Sequence, residues 1–197
     1  MASCGNLTIG ATYDCDDPLQ PGVNPRLILM NLDDILLVTY DVGNDRLITD
    51  ISIKTGVLAA YAFDGFRQSL NPSVEFVPQT LSIGYRHTVE FQVFDISSTQ
   101  KLNLEKMALG KIVAVVENKN SPGNVDSVFE VFGLGTGMEV QTMTRINRDL
   151  ETAGSWSIVL STPDNEGQEA TLPISWFDTD YATTLALVDA LLVPTAP

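Results

Sequence analysis

Basic residues are scarce in this sequence. Only 11 of its 197 residues are Lys or Arg, against 25 Asp or Glu, so the formal net charge is −14. Proteins that bind nucleic acid depend on Lys and Arg to neutralise phosphates. This charge balance argues strongly against a surface that binds nucleic acid. The acidic residues are also unevenly distributed along the sequence, because no Lys or Arg follows Arg148. Two interpretations stay open: a solvated face that keeps the protein soluble and separate, or a wall that repels a polyanion.

Histidine and cysteine are nearly absent. His87 is the only histidine, and Cys4 and Cys15 are the only cysteines. They fall short of the four ligands of a zinc site. A nucleophilic Ser or Cys would need a histidine base, and no Gly-x-Ser-x-Gly motif occurs. We interpret His87 as a surface or interface histidine. Paired carboxylates stay open in a chain this acidic, but no pair stands out. We expect no catalytic residue, no metal site and no cofactor.

Long apolar runs are also missing. No segment reaches the roughly 18 consecutive apolar residues that a membrane helix requires. The opening residues, MASCGNLTIGATYDC, lack the charged and apolar regions of a secretion signal. We therefore expect a protein made and kept in the cytosol, without a membrane partner. In that compartment Cys4 and Cys15 are expected to stay free thiols, although they could close a small loop if oxidised.

Three short motifs have features of ligand sites but fit turns better. The glycine cluster at 133–137 follows a strand, as a phosphate loop does, but it lacks a Lys and precedes another strand. A hairpin turn with positive φ explains it. The acidic stretch at 14–17 starts like a calcium loop, yet the twelfth position is Pro25 rather than Glu. Residues 164–167 have strong turn preferences.

Four aromatic residues could stack on a sugar. They are Trp156, Trp176, Tyr61 and Tyr85. Large aromatic side chains more commonly fill cores and interfaces, so we predict that role for them.

Period-two alternation and frequent turn residues predict a mainly β protein. Ten strands are predicted, at 26–30, 34–40, 46–53, 57–63, 88–96, 111–117, 126–134, 138–146, 154–162 and 170–176. One helix is predicted over 98–109, capped by Ser97 or Ser98 and ended by Gly110, and a second near the C-terminus, capped by Asp178 or Asp180. The expected fold is a β-sandwich or barrel of about nine or ten antiparallel strands flanked by one or two helices.

The chain length predicts one domain over residues 1–197. Within it we expect an N-terminal arm at 1–25 and a C-terminal helix and tail at 177–197. Residues 64–86 contain Pro72, Pro78 and Gly84 in a polar context, so we predict a long loop or projecting arm there.

Two patches resemble virion proteins of phages and prophages of Bacteroidetes-type hosts. The first, at 4–35, has a Cys-Gly start, a Tyr-Asp-Cys step and a strand ending in Asn-x-x-x-Ile. Its matching residues are Cys4, Gly5, Tyr13, Asp14, Cys15, Asn31 and Ile35. The second, at 104–162, is similar to the later half of tail-tube-like structural proteins: a helix, a strand, a hairpin with a Gly-Leu-x-x-Gly turn, and a further strand. Residues 64–86 match nothing in the family, which leaves open whether they form its long inter-ring loop.

The resemblance implies a small sandwich whose copies join edge to edge, so that their strands form one continuous inner barrel around a channel. The expected function is thus a virion structural protein, a tail tube subunit, which would assemble in the host bacterial cytoplasm. Its partners would be itself and other virion proteins, with DNA as unbound cargo. Closing a ring removes exposed strand edges.

Two other classes of function stay open. A head-decoration, adaptor or carbohydrate-binding module of a virion could use the same sandwich, and it would show an exposed aromatic patch. An enzyme on a β scaffold would need a pocket with converging carboxylates of perturbed pKa.

Overall fold

Two β-sheets and two short α-helices make up most of the part of the chain that the structure describes, which confirms the mainly β prediction. The computed structural model describes residues 9–10, 21–54, 60–78, 83–119, 126–163 and 168–192. The described strands are β1 (Val23–Asn31), β2 (Ile35–Tyr40), β3 (Leu47–Ile53), β4 (Tyr61–Asp64), β5 (Leu70–Pro78), β6 (Ile83–Val93), β7 (Ile112–Asn118), β8 (Phe129–Phe132), β9 (Glu139–Arg145), β10 (Trp156–Ser161) and β11 (Ile174–Trp176). The helices are α1 (Ser98–Met107) and α2 (Tyr181–Ala190).

The strands divide into a seven-stranded and a four-stranded sheet. The larger sheet has the order β2-β3-β11-β8-β7-β1-β4, and the smaller has the order β5-β6-β10-β9. Every pairing is antiparallel except that of β11 with β3, in which Ser175 lies opposite Leu47 and Trp176 opposite Ile48. The expectation of an entirely antiparallel fold is wrong at this one contact, which joins two strands that are far apart in sequence and run in the same direction.

The two sheets pack face to face around one core. Its centre combines Leu27 and Leu29 of β1 with Val89 and Phe91 of β6 and Leu160 of β10, all of them buried. A second cluster covers the opposite face of the seven-stranded sheet, where α2 packs on it through Val188. The inner part of the seven-stranded sheet is thus apolar on both faces, and its strand β7 accordingly contains a continuous buried run, IVAVV.

Both helices begin where the sequence predicts. The Ser97 side chain accepts a hydrogen bond from the Gln100 backbone N–H at the start of α1. The Asp180 carboxylate accepts a hydrogen bond from the Thr183 backbone N–H at the start of α2. Each cap satisfies a backbone donor that has no partner inside its helix. Neither helix, nor any other in the described part of the chain, is both long and apolar enough to cross a membrane.

The prediction of a loop over 64–86 is wrong for most of its length. Residues 70–78 form β5, which pairs with β6 in continuous antiparallel register from Leu70 opposite Phe91 to Pro78 opposite Ile83. Proline and polar residues are tolerated here because β5 is an edge strand, where one side of the backbone needs no partner within the sheet. The predicted arm at 1–25 and the tail beyond residue 192 lie almost wholly outside the described residues.

Candidate assembly interface

The four-stranded sheet buries one face and presents the other to solvent. On its inner face lie apolar residues such as Val89, Phe91 and Ile158. Because side chains alternate along each strand, the intervening residues share the opposite surface. This surface is here named the outer face, and it consists of Asn71, Ser73, Glu75, Arg86, Thr88, Glu90, Gln92, Glu139, Thr142, Thr144, Ser157, Val159 and Ser161.

The outer face is polar and mildly acidic. Among its named residues Val159 is the only apolar one, and Val77 continues the same side of β5 beyond Glu75. The outer face has three glutamates and one arginine, Arg86, so its net charge is −2 (three negative charges and one positive charge). Cross-strand contacts tie it together, since the Arg86 guanidinium lies 3.0 Å from the Glu75 carboxylate and the Thr88 and Ser161 hydroxyls are 3.1 Å apart. These contacts link polar side chains of neighbouring strands across a hydrophilic surface.

The edges of the four-stranded sheet are open. Within the described residues, β5 pairs only with β6 and β9 pairs only with β10. An edge strand presents unpaired backbone N–H and C=O groups that another strand can use. Both edges are also interrupted: β5 contains Pro72 and Pro78, and β9 has an irregular register opposite Val159 and Leu160. Such features limit edge pairing to short, defined stretches.

The β5–β6 hairpin extends beyond the rest of its sheet. Its neighbour β10 ends at Ser161, opposite Thr88, so residues 74–78 and 83–86 continue past it. We name these residues the hairpin tip. Their inner side continues the apolar face of the core, but Val74, Phe76 and Ile83 are 37%, 54% and 64% exposed. The tip therefore presents a small uncovered apolar surface.

Glu169 fastens the base of this hairpin to the glycine turn at 133–137. Its backbone N–H and C=O pair with those of Tyr85 on β6, at 3.0 and 2.9 Å. Its buried carboxylate accepts hydrogen bonds from the N–H groups of Gly135 and Thr136 and from the Thr136 hydroxyl, at 2.8 to 3.2 Å. Gly133 and Gly137 have φ of +72° and +79°, which confirms the predicted positive-φ turn. The Glu169 carboxylate, an anion of the same chain, thus occupies the backbone N–H donors of this loop.

His87 is buried beside this turn, so the prediction of a surface or interface histidine is wrong. The Gly133 N–H donates to its Nδ1 at 3.1 Å, and its Nε2 lies 3.0 Å from the Thr171 carbonyl oxygen. Nδ1 must therefore accept and Nε2 must carry the proton, which defines the neutral ring. Burial lowers the pKa of His87, while the nearby Glu169 carboxylate and the bond to Thr171 oppose that effect.

His87 and Glu169 line a cleft of about 490 Å³, with Tyr40, Asp45 and Arg46 from the β2–β3 connection on its other side. The polar atoms of His87 and Glu169 are already bonded within the chain. The imidazole of His87 and the carboxylate of Glu169 thus serve in this cleft as structural hydrogen-bonding groups.

The four aromatic candidates for sugar stacking do not form one surface. Trp176 is fully buried, and Trp156 packs against the core with the Arg145 guanidinium 5.8 Å from its ring. Tyr85 packs on Phe76 within the hairpin, and Tyr61 lies on β4 of the other sheet.

Several other predicted features fall outside the described residues, namely Cys4, Cys15, the acidic stretch at 14–17 and the turn at 164–167. Among the residues that are described, no group of three or more His, Cys, Asp or Glu side chains could hold a metal ion.

Comparison with known proteins identifies no relative. No family model, curated protein or solved structure matches this chain. The functional argument consequently depends on the residues and geometry of the chain itself.

Proposed function

We propose that this chain is a phage virion structural subunit, a tail tube protein, which joins copies of itself into a ring or stacked rings around a channel for DNA. The observation that carries the proposal is the four-stranded sheet: a polar outer face between two edges that have no partner in the described residues. The work of the protein is then assembly, and no residue is proposed to make or break a bond.

The ring would form by pairing β5 of one copy with β9 of the next. This contact is heterologous, since two different edges meet, and repeated heterologous contacts close into a ring when the rotation between copies allows it. Closure would remove every open edge of the four-stranded sheet and turn the separate sheets into one barrel. The seven-stranded sheet and both helices would lie outside that barrel.

The outer faces would then line the channel. Their Ser, Thr, Asn, Gln and Glu side chains carry no excess of basic charge, and the chain as a whole carries −14. The one basic residue of this wall, Arg86, is paired with Glu75, so the wall offers DNA phosphates no net positive charge and the cargo would pass without being held.

The hairpin tip would serve as the arm that the family resemblance implies, although it is a β-hairpin rather than a loop. Its uncovered residues Val74, Phe76 and Ile83 would be buried against another copy or another virion protein. The proposed location is the virion, after assembly in the cytoplasm of the host bacterium, and no membrane partner is proposed.

Paired cysteines would test the edge contact. In a background with Cys4 and Cys15 changed to Ser, we would combine Ser73→Cys on β5 with Thr142→Cys on β9 and oxidise the protein at assembly concentrations. Heterologous pairing predicts a ladder of covalent oligomers larger than dimers. Because the register between copies sets the geometry of the bond, Thr144→Cys provides a second partner for Ser73→Cys.

The single-cysteine variants are the controls. Each alone should give no ladder, and a dimer from Ser73→Cys alone would indicate a two-fold β5–β5 contact instead of a ring. Negative-stain electron microscopy of the uncrosslinked protein should show rings or hollow tubes. Monomers at high concentration together with no ladder from either cysteine pair would refute the tube and favour the decoration or adaptor module.

Charge reversal on the outer face would test the channel. The double variant Glu90→Lys and Glu139→Lys should still assemble but should retain DNA in an electrophoretic mobility assay at low salt. Glu105→Lys, on an exposed position of α1 away from the outer face, is the matched control. Equal DNA binding by the control and the double variant would contradict a channel lined by the outer face.

A further inference from the structure

The only histidine of the chain connects three separate segments. His87 lies on β6 at the base of the hairpin tip, its Nε2 meets Thr171, and its Nδ1 accepts from Gly133. Its backbone also bonds to Thr162, with a Thr162 N–H to His87 carbonyl distance of 3.0 Å. A single ring thus holds the hairpin base, the turn after β8 and the segment before β11 in contact.

Glu169 connects the same segments by a second route. Its backbone pairs with Tyr85, two residues from His87 on the same side of β6, and its carboxylate is bound by the turn at 133–137. His87 and Glu169 therefore both link β6 to the turn at 133–137. A change in the charge of the His87 ring affects the hydrogen bonds that Glu169 makes to this turn.

In the described part of the chain, one charged group, the Glu169 carboxylate, acts closely on His87. Val74 of β5 lies opposite it and Phe132 of β8 packs edge-on against its ring at 5.6 Å, so both of these elements present apolar groups. The segment before β11 presents the Glu169 carboxylate. Farther across the cleft, the β2–β3 side presents Tyr40, Asp45 and Arg46.

Protonation cannot be accommodated by the present bonds. A proton taken from solvent would bind Nδ1, and the new N–H would then face the Gly133 N–H, so two donors would oppose each other. The Glu169 carboxylate is the nearest acceptor with negative charge. Its oxygens already accept from Gly135 and Thr136, so drawing them toward the imidazolium would weaken those bonds to the turn; the alternative is that the ring itself swings out of its site.

We propose that His87 and Glu169 form an acid-sensitive latch, which holds the base of the hairpin tip against the turn at 133–137 at neutral pH and releases it when the ring is protonated. Release of the latch would change the orientation of the hairpin tip. This inference does not depend on the tail-tube assignment, because it holds for any partner that the tip contacts.

The lone histidine allows the test to be made on the unmodified chain. NMR of the imidazole nitrogens and of Cε1 gives one set of signals, so tautomer and midpoint can be read without assignment variants. We expect the Nε2–H tautomer at pH 7.5 and a midpoint below the ordinary value of about 6.5. Amide exchange, normalised to the intrinsic rate at each pH, reports the latch itself.

Protection of the Gly133, Gly135 and Thr136 amides should fall as the ring titrates, by up to about tenfold per pH unit below the onset of protonation. Protection of Val113 and Val115, at the centre of β7, should stay unchanged. A midpoint at or above 6.5, an Nδ1–H tautomer, or unchanged protection of the turn through the titration would each overturn the latch. Equal loss at Val113 would also overturn it, since that result describes global unfolding.

Glu169→Gln separates the charge of the carboxylate from its shape. Removing the negative charge takes away the attraction that favours the imidazolium, so the His87 midpoint should shift to lower pH. Glu90→Gln on the exposed outer face is the control and should leave the midpoint unchanged. A midpoint that stays the same or rises in Glu169→Gln would remove Glu169 from the latch.

Discussion

Replacing Glu169 by Ala should destabilise the protein far more than replacing any exposed glutamate. The substitution removes the acceptor of the Gly135 N–H, the Thr136 N–H and the Thr136 hydroxyl. Hydrogen bonds to a charged group contribute about 1.5–3 kcal/mol each. Because Gly135 is exposed, water can replace part of what is lost. We therefore expect the free energy of unfolding to fall by about 2–4 kcal/mol, less than the simple sum of the three bonds.

Urea denaturation followed by tryptophan fluorescence measures this change, because Trp156 and Trp176 both contact the core. With a slope of roughly 2 kcal/mol per molar urea, the midpoint should fall by about 1–2 M. Glu90→Ala, on the exposed outer face, should change the unfolding free energy by no more than about 0.5 kcal/mol. A loss below about 1 kcal/mol for Glu169→Ala, or a loss equal to that of Glu90→Ala, would refute the role assigned to the carboxylate.

Three further predictions concern stability. Leu160→Ala, which removes a fully buried side chain between the sheets, should lower the unfolding free energy by about 2–5 kcal/mol, whereas Leu109→Ala, at a position 90% exposed, should change it by less than about 0.5 kcal/mol in the same urea assay. Gly133→Ala should lower the melting temperature more than Gly154→Ala: both have positive φ, but a Cβ at Gly133 would lie 2.8 Å from the Met138 side chain, while at Gly154 the nearest atom is 3.4 Å away. Because the pKa of His87 is lowered in the folded chain, its contribution to stability is complete above the unfolded value near 6.5 and is lost as the pH falls below it, by at most about 1.4 kcal/mol per pH unit; urea midpoints that rise between pH 6.5 and 5.5 would contradict this sign.

The sequence of β5, which is absent from the predicted strands, does contain a strand pattern. In β5, Leu70, Val74 and Phe76 alternate with polar residues, which is the period of a strand with one apolar face. Pro72 and Pro78 outweighed that alternation in the prediction. Proline excludes a central strand but not an edge strand, and whether a strand lies at an edge depends on pairings that the local sequence does not contain.

The position of His87 could be predicted, but its partners could not. It shares the parity of Val89, Phe91 and Val93 along β6, so the alternation that places those residues in the core also places His87 there. Thr171 and Gly133, which satisfy its ring nitrogens, are 84 and 46 residues away in the chain. Glu169 had no local signal at all, because its role depends on the turn at 133–137 being folded beside it. Sequence patterns specify which face a residue occupies, whereas the bonds between distant segments follow only from the assembled fold.

The two sheets differ in what they contribute, and this difference makes the assembly hypothesis testable. The inner strands of the seven-stranded sheet, such as β7 and β8, are buried on both faces, so most substitutions there act on folding. The four-stranded sheet is buried on one face only, and its outer face consists mainly of polar side chains whose replacement should change stability little. Variants of Ser73, Glu90, Glu139 or Thr142 should therefore remain folded. Any change that they cause in oligomer formation or DNA retention can then be assigned to the surface itself and not to loss of structure.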